Sequence, residues 1–139
     1  MTSPATVATE IITSPKKPVI NEVAIRTKLE AIKSELKIKG ELVYPAPVMD
    51  FSDFIFDAEH TQGDKHPHNV SEEEARKFIT EAYFALYLKK NNSYNFWGRN
   101  GATYVQMGKK KLRTSFKSDE FAPPYKKMIE VFENAKNNS

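Results

Sequence analysis

The 139-residue chain contains no cysteine, which excludes a disulfide framework, a zinc site built on thiolates and a cysteine nucleophile. It also has no stretch near the roughly 18 consecutive apolar residues that a membrane span needs. The first residues lack the basic-then-apolar order of a secretory signal, so we expect no Sec export. Apolar residues make up 40% of the chain, enough for one modest core. We therefore expect one domain over residues 19–139.

Acidic residues are absent from one long stretch. Between Ala82 and Ser118 there are eight lysine or arginine residues and no aspartate or glutamate, although the chain carries only +3 overall. Aromatic residues, among them Trp97 and Tyr104, are interleaved with these cations. Because cations neutralise phosphate and aromatic rings stack on unpaired bases, the pattern favours a nucleic-acid-binding face. The alternative interpretation is a solvated hairpin tip with the aromatic residues in the core.

Apolar spacing predicts the outline of the fold. Residues 1–18 hold three prolines and no apolar period, so we expect a disordered tail. A stripe of Ile25, Leu29, Ile32 and Leu36 predicts a helix over residues 21–39. Residues 40–56 contain two prolines and favour extended chain, with short strands at 41–44 and near 54–56.

The second half predicts two more helices around a sheet. Ser71 and Glu74 have the capping-box spacing, which predicts a helix over residues 72–90. Three β-type runs, YNFW, ATYVQM and KLRTSF, are separated by turn signals and predict an antiparallel meander. Pro123 then begins a closing helix over 123–136. The predicted class is α+β, with helices packed on a small antiparallel sheet.

All three histidines, His60, His66 and His68, fall in one polar loop. A histidine pair with pKa values near neutrality can remove one proton and donate another without a cofactor. Alternatively, the His-x-His pair could ligate zinc, copper or nickel, with further ligands from His60 or nearby carboxylates. The spacing matches no metal motif, so we expect no metal and no other cofactor.

The last β-type run combines hydroxyls with cations. Strand alternation predicts that Leu112 and Phe116 share one face with Thr114. Arg113 would then point to the opposite face unless a bulge intervenes. Lysines 109–111, Arg113 and Lys117 surround the hydroxyls of Thr114 and Ser115.

Four segments in order, FIFDAEH, HNVSEEEA, FWGRNGATYV and KKKLRTSFKSDEF, resemble the phage-encoded nuclease-like domains of the barnase–EndoU–colicin–RelE superfamily. The resemblance covers roughly residues 42–135. It implies an α+β fold and a metal-independent ribonuclease of the kind found in phage proteins and polymorphic toxins. It further implies action on RNA in the bacterial cytoplasm, and a cognate inhibitor or a phage or host protein as a possible partner.

The resemblance also assigns residues to roles. The family's two histidines fall on His60 and His68, with His66 as the alternative to His68. Its basic residue and hydroxyl on the last strand fall on Arg113 and Thr114. We expect the remaining RNA contacts to come from six residues: Lys109, Lys110, Lys111, Arg99, Tyr104 and Lys117.

These residues predict an endoribonuclease that cleaves RNA through attack of its own 2′-OH. One imidazole would act as base and the other as acid, while cations stabilise the phosphorane. The alternative is a protein on the same scaffold that binds nucleic acid, or acts as a phage accessory protein or inhibitor, without cleaving.

Overall fold

A computed structural model describes residues 19–58 and 69–137. The predicted disordered tail and the candidate histidines His60, His66 and His68 lie outside the described residues. Within them, the elements are α1 (Val19–Glu35), β1 (Glu41–Val43), β2 (Ile55–Phe56), α2 (Glu72–Thr80), β3 (Phe84–Leu88), β4 (Ser93–Trp97), β5 (Gly101–Gln106), β6 (Lys111–Lys117), a 3₁₀ turn (Ser118–Glu120) and α3 (Pro123–Asn137). The fold is α+β.

The strands form one sheet in the order β1-β3-β4-β5-β6-β2. Neighbouring strands are antiparallel except β2, which runs parallel to β6, so the sheet is mixed. The predicted meander is confirmed as β4, β5 and β6. The short strands predicted near 41–44 and 54–56 are confirmed as β1 and β2 at the two edges.

The prediction of one helix over residues 72–90 is wrong. The capping box at Ser71 forms, with Glu74 N–H donating to Ser71 Oγ and Ser71 N–H to Glu74 Oε1, at 3.1 and 3.0 Å. The helix nevertheless ends at Thr80, and Phe84–Leu88 forms β3. In this strand Phe84 and Ala85 are both fully buried and, as neighbours, face opposite sides of the sheet. The sequence of a strand buried on both faces is a continuous apolar run. Hydrophobic periodicity alone does not distinguish such a strand from a buried helix.

One face of the sheet is covered by α1 and α3. Leu29 of α1 and Met128 of α3 are fully buried in a cluster with Phe84, Leu86 and Trp97. The closing helix predicted to begin at Pro123 is confirmed as α3. We call this side of the sheet the α1/α3 face.

The other face, the α2 face, packs against α2 and the loop that precedes β2. The Phe78 ring of α2 lies where a Cβ on Gly101 would come within 2.4 Å of it, so only glycine fits under this ring. Arg76 donates to the carbonyls of Phe51 (2.8 Å) and Phe54 (2.7 Å), which fixes the loop against the helix. None of the helices in the described residues is long and apolar enough to cross a lipid bilayer.

Candidate nucleic-acid interface

A β-bulge interrupts β6 at Arg113. Val105 of β5 pairs with Leu112, and the preceding residue Tyr104 pairs with Thr114, so Arg113 is the extra residue. A bulge changes which face the following side chains occupy. Here it places Leu112 in the cluster on the α2 face and Phe116 against the cluster on the α1/α3 face. The prediction that Leu112 and Phe116 share a face is therefore wrong.

The bulge brings Arg113 and Thr114 to the same side of the sheet. Ser115 bonds to Thr103 (2.9 Å), whose hydroxyl donates to the carbonyl of Ala75 in α2 (2.8 Å), so Ser115 lies on the α2 face. By alternation from Ser115, Thr114 lies on the α1/α3 face, and alternation from Leu112 on the α2 face places the next residue, Arg113, on the α1/α3 face too. The bulge thus allows both residues to serve one ligand.

Six side chains on this face form a surface that we call the polar patch. Tyr104 and Thr114 are cross-strand partners, and Asn95 pairs with Tyr104 from the other side. All except the buried Asn95 are partly exposed. The polar patch consists of Asn95, Tyr104, Gln106, Lys111, Arg113 and Thr114.

Asp57 sits at the edge of the polar patch. Its carboxylate Oδ2 lies 3.7 Å from Lys111 Nζ and 4.0 Å from an Arg113 guanidinium nitrogen. The backbone N–H of Asp57 donates to the Leu112 carbonyl (3.0 Å), which continues the parallel pairing of β2 with β6. Only 14% of the Asp57 side chain is exposed, against 38% for each cation. The carboxylate therefore holds both cations along the edge of the patch.

The lysines at the tip of the β5–β6 hairpin are held less firmly than Lys111 and Arg113. Lys110 Nζ lies 3.1 Å from Asp53 Oδ2, and both side chains are 63% exposed, so this pair is weak. Lys109 is exposed and has no ion pair with any other described residue. These two lysines can contact a ligand only at the edge of the polar patch.

Two predicted RNA contacts lie elsewhere. Lys117 pairs with Glu74 of α2 at 4.0 Å, which places it on the α2 face. Arg99, in the turn between β4 and β5, lies 3.7 Å from Glu133 of α3. The structure therefore groups Tyr104, Lys111, Arg113 and Thr114 and leaves Arg99 and Lys117 apart from them.

Tyr104 gives the polar patch an aromatic group with a neutral hydroxyl. Burial raises the pKa of Tyr104, and the nearby Tyr125 raises it further. The phenol is therefore protonated at physiological pH and can donate a hydrogen bond. Nearby, the buried Oε1 of Gln106 has no hydrogen-bond partner among the described residues. Because this oxygen is buried, the Tyr104 hydroxyl is the group of the two that can donate to a ligand.

Sequence reasoning missed the carboxylates that neutralise the basic stretch. Asp53, Asp57, Glu74 and Glu133 each pair with one or two of its cations. They come from distant parts of the chain, and the net negative charge outside residues 82–118 was the one signal of their presence.

The predicted histidine chemistry cannot be placed in this geometry, because His60, His66 and His68 lie outside the described residues. In the residues that are described, no group of three or more histidines or carboxylates could hold a metal ion. Comparison of the chain with protein-family models, curated proteins and solved structures gives no match.

Proposed function

We propose that the protein is a metal-independent endoribonuclease that binds RNA at the polar patch. The observation that carries the proposal is the bulge, which puts the Arg113 guanidinium and the Thr114 hydroxyl on one face beside Tyr104. A guanidinium group and a hydroxyl in adjacent positions can both donate hydrogen bonds to the oxygens of one phosphate. Lys111 adds a second positive charge.

The proposed reaction is a transesterification within the RNA. The 2′-oxygen attacks the neighbouring phosphorus, the bond from phosphorus to the 5′-oxygen breaks, and the products carry a 2′,3′-cyclic phosphate and a 5′-hydroxyl. One imidazole takes the proton from the 2′-OH and the other gives a proton to the leaving 5′-oxygen. The resemblance to the superfamily supports His60 and His68 in these roles, with His66 as the alternative to His68. Arg113 and Thr114 would stabilise the negative charge of the phosphorane.

A second candidate is an RNA-binding protein that does not cleave. The composition of the polar patch favours it, because Tyr104, Lys111 and Arg113 serve binding whether or not an acid and a base are present. The two candidates share the interface and differ only in the requirement for the histidines.

Cleavage of labelled single-stranded RNA in EDTA separates them. We expect 2′,3′-cyclic phosphate ends and no cleavage of DNA, which lacks the nucleophile. The rate should fall by roughly 10²–10⁴ for His60→Ala and for His68→Ala, the usual worth of a positioned proton donor or acceptor. Thr114→Val should cost less, because it removes one donor and keeps the shape.

Lys117→Gln is the matched control, since Lys117 lies on the opposite face of the same strand. It should leave the rate within about twofold of wild type, as expected for one screened surface charge. Equal cleavage by wild type and the His60→Ala/His68→Ala double variant would contradict the catalytic proposal. RNA binding without any cleavage by wild type would leave the second candidate.

A further inference from the structure

A cleft of about 380 Å³ opens on the α1/α3 face beside the polar patch. It lies between the turn after α1 and the first residues of α3, over β3, β4 and β5. Its volume is in the range of sites that take one small organic molecule. Its lining residues are Leu36, Lys37, Ile38, Lys39, Leu86, Leu88, Asn95, Tyr104, Pro124 and Tyr125.

Three polar side chains in this cleft have unused hydrogen-bonding groups. Asn95 is 92% buried; its Oδ1 accepts from Ser93 Oγ at 2.7 Å, while its Nδ2 donates to no described residue. The hydroxyls of Tyr104 and Tyr125 likewise have no hydrogen-bond partner among the described residues. These three groups are open to the cleft, because the buried side-chain atoms without a partner among the described residues are Trp97 Nε1 and Gln106 Oε1. They can therefore donate hydrogen bonds to a ligand that takes the place of water there.

The charge of the cleft has one sign. Among the described residues that line it, Lys37 and Lys39 are charged and none is a carboxylate. Neither lysine forms an ion pair with another described residue. Burial raises the pKa of both tyrosines, so their hydroxyls stay neutral donors. These groups favour an anionic ligand, and the leucine side chains favour one with a body that is not fully polar.

The cleft is continuous with the polar patch, because Tyr104 and Asn95 belong to both. Thr114 is the cross-strand partner of Tyr104, so the next strand over carries the proposed phosphate-binding pair. Neighbouring strands are about 4.8 Å apart, which places the cleft one to two strand spacings from Arg113. A chain molecule bound at Arg113 and Thr114 would reach the cleft with an adjacent unit.

We propose that the cleft binds one unstacked nucleotide of a single-stranded RNA, with its phosphate toward Lys37 and Lys39 and its base against Tyr104 and Asn95. This inference rests on the proposed RNA binding at the polar patch and names the substrate class. A base can enter a cleft only when it has left a helical stack, so the cleft selects single strands over duplexes.

Two probes test the inference: uridine or adenosine 5′-monophosphate, and a fluorescent 2′-O-methyl RNA oligonucleotide, which lacks the nucleophile and cannot be cleaved. The Tyr104→Phe/Tyr125→Phe variant loses only hydroxyls that have no described partner, so its folding is expected to be intact. It should bind both probes about tenfold more weakly, the effect of losing two hydrogen bonds of typical strength. The Lys37→Gln/Lys39→Gln variant should bind both probes more weakly by a similar factor, and its affinity should depend less on salt concentration.

Matched controls lie away from the cleft. Tyr94→Phe removes a hydroxyl on the α2 face that has no described partner, and Lys28→Gln removes an exposed charge of α1. Both should bind the probes like wild type. In contrast, Arg113→Gln should lower the affinity for the oligonucleotide and leave the affinity for the mononucleotide unchanged.

The outcomes separate the two proposals. Wild-type affinity of both cleft variants for both probes would overturn the cleft assignment and leave the polar patch in place. Loss of mononucleotide binding with unchanged oligonucleotide binding would identify a site for a free nucleotide and overturn the assignment to an RNA strand. Absence of cleavage with cleft-dependent oligonucleotide binding would refute the endoribonuclease proposal and support the cleft.

Discussion

Single residues decide how the polar patch is charged. Arg113 and Lys111 are positive in sequence, yet each shares the carboxylate of Asp57. A phosphate that binds these cations must compete with that carboxylate, which lies at the edge of the same surface. Asp57 therefore orders the cations and lowers their attraction for RNA.

Removing the Asp57 charge should strengthen RNA binding. Asp57→Asn keeps the shape of the side chain, and we expect affinity for single-stranded RNA to rise roughly two- to fivefold, the value of a partly exposed ion pair. Fluorescence anisotropy in a salt series measures this, and the gain should shrink as salt rises.

Asp53→Asn is the control, because Asp53 pairs with Lys110 at the exposed hairpin tip. It should change affinity much less. Unchanged or weaker RNA binding by a folded Asp57→Asn variant would show that Lys111 and Arg113 do not contact phosphate.

At the level of elements, the contact between α2 and β5 depends on Gly101, which has no side chain. The Phe78 ring occupies the space above Gly101, and a Cβ there would lie 2.4–2.6 Å from three ring atoms. Phe78 is buried, so its ring cannot swing into solvent without exposing apolar surface.

Gly101→Ala should therefore destabilise the fold by about 1–3 kcal/mol through overpacking. Urea unfolding gives the value. Trimming the ring with Phe78→Leu should relieve the clash, so the double variant should lose less stability than the two single variants together. Gly108→Ala is the matched control, because a Cβ there would meet only Asn92 Nδ2, at 3.9 Å. An additive double variant would show that the ring and the added methyl do not compete.

The elements also show how far the sequence predicts this fold. Local patterns predict the apolar stripe of α1, the start of α3 at Pro123, the capping box at Ser71 and the three strands of the meander, and these are confirmed. The end of α2 could not be predicted, because β3 is apolar on both faces. The bulge at Arg113 could not be predicted either, since pairing two residues of one strand against one of the next depends on the partner strand. The interface was predicted in part, because its cations are visible in sequence while their carboxylate partners are set by tertiary packing.

Across the whole molecule, several tyrosines are packed so that they resist ionisation. Burial, with the hydrogen bond to Glu133 (2.7 Å) and its charge, raises the pKa of Tyr83 to about 12. Burial also raises the pKa of Tyr44, Tyr104 and Tyr125. The folded state thus holds these phenolic protons more tightly than the unfolded chain, in which tyrosine titrates near 10.

Stability should therefore fall at alkaline pH. The contribution of the neutral phenols is complete below about pH 10 and is lost as the pH rises from there towards the folded-state value of about 12 for Tyr83. Urea unfolding free energies from pH 8 to 11.5 should decrease above pH 10. Tyr83→Phe should show a shallower decrease, because one of the titrating groups is gone. A decrease equally steep in the variant would mean that Tyr83 does not contribute to it.

The two edges of the sheet are short: β1 has three residues and β2 has two. An edge strand exposes a row of unpaired backbone groups on which another chain can add a strand, and the length of the edge limits how many bonds such an addition can form. Four of the six strands have five or more residues among those described, and all four lie inside the sheet. The order of the strands thus leaves β3, β4 and β5 flanked by other strands on both sides, and the described edge strands β1 and β2 themselves offer only three and two residues on which another chain could add a strand.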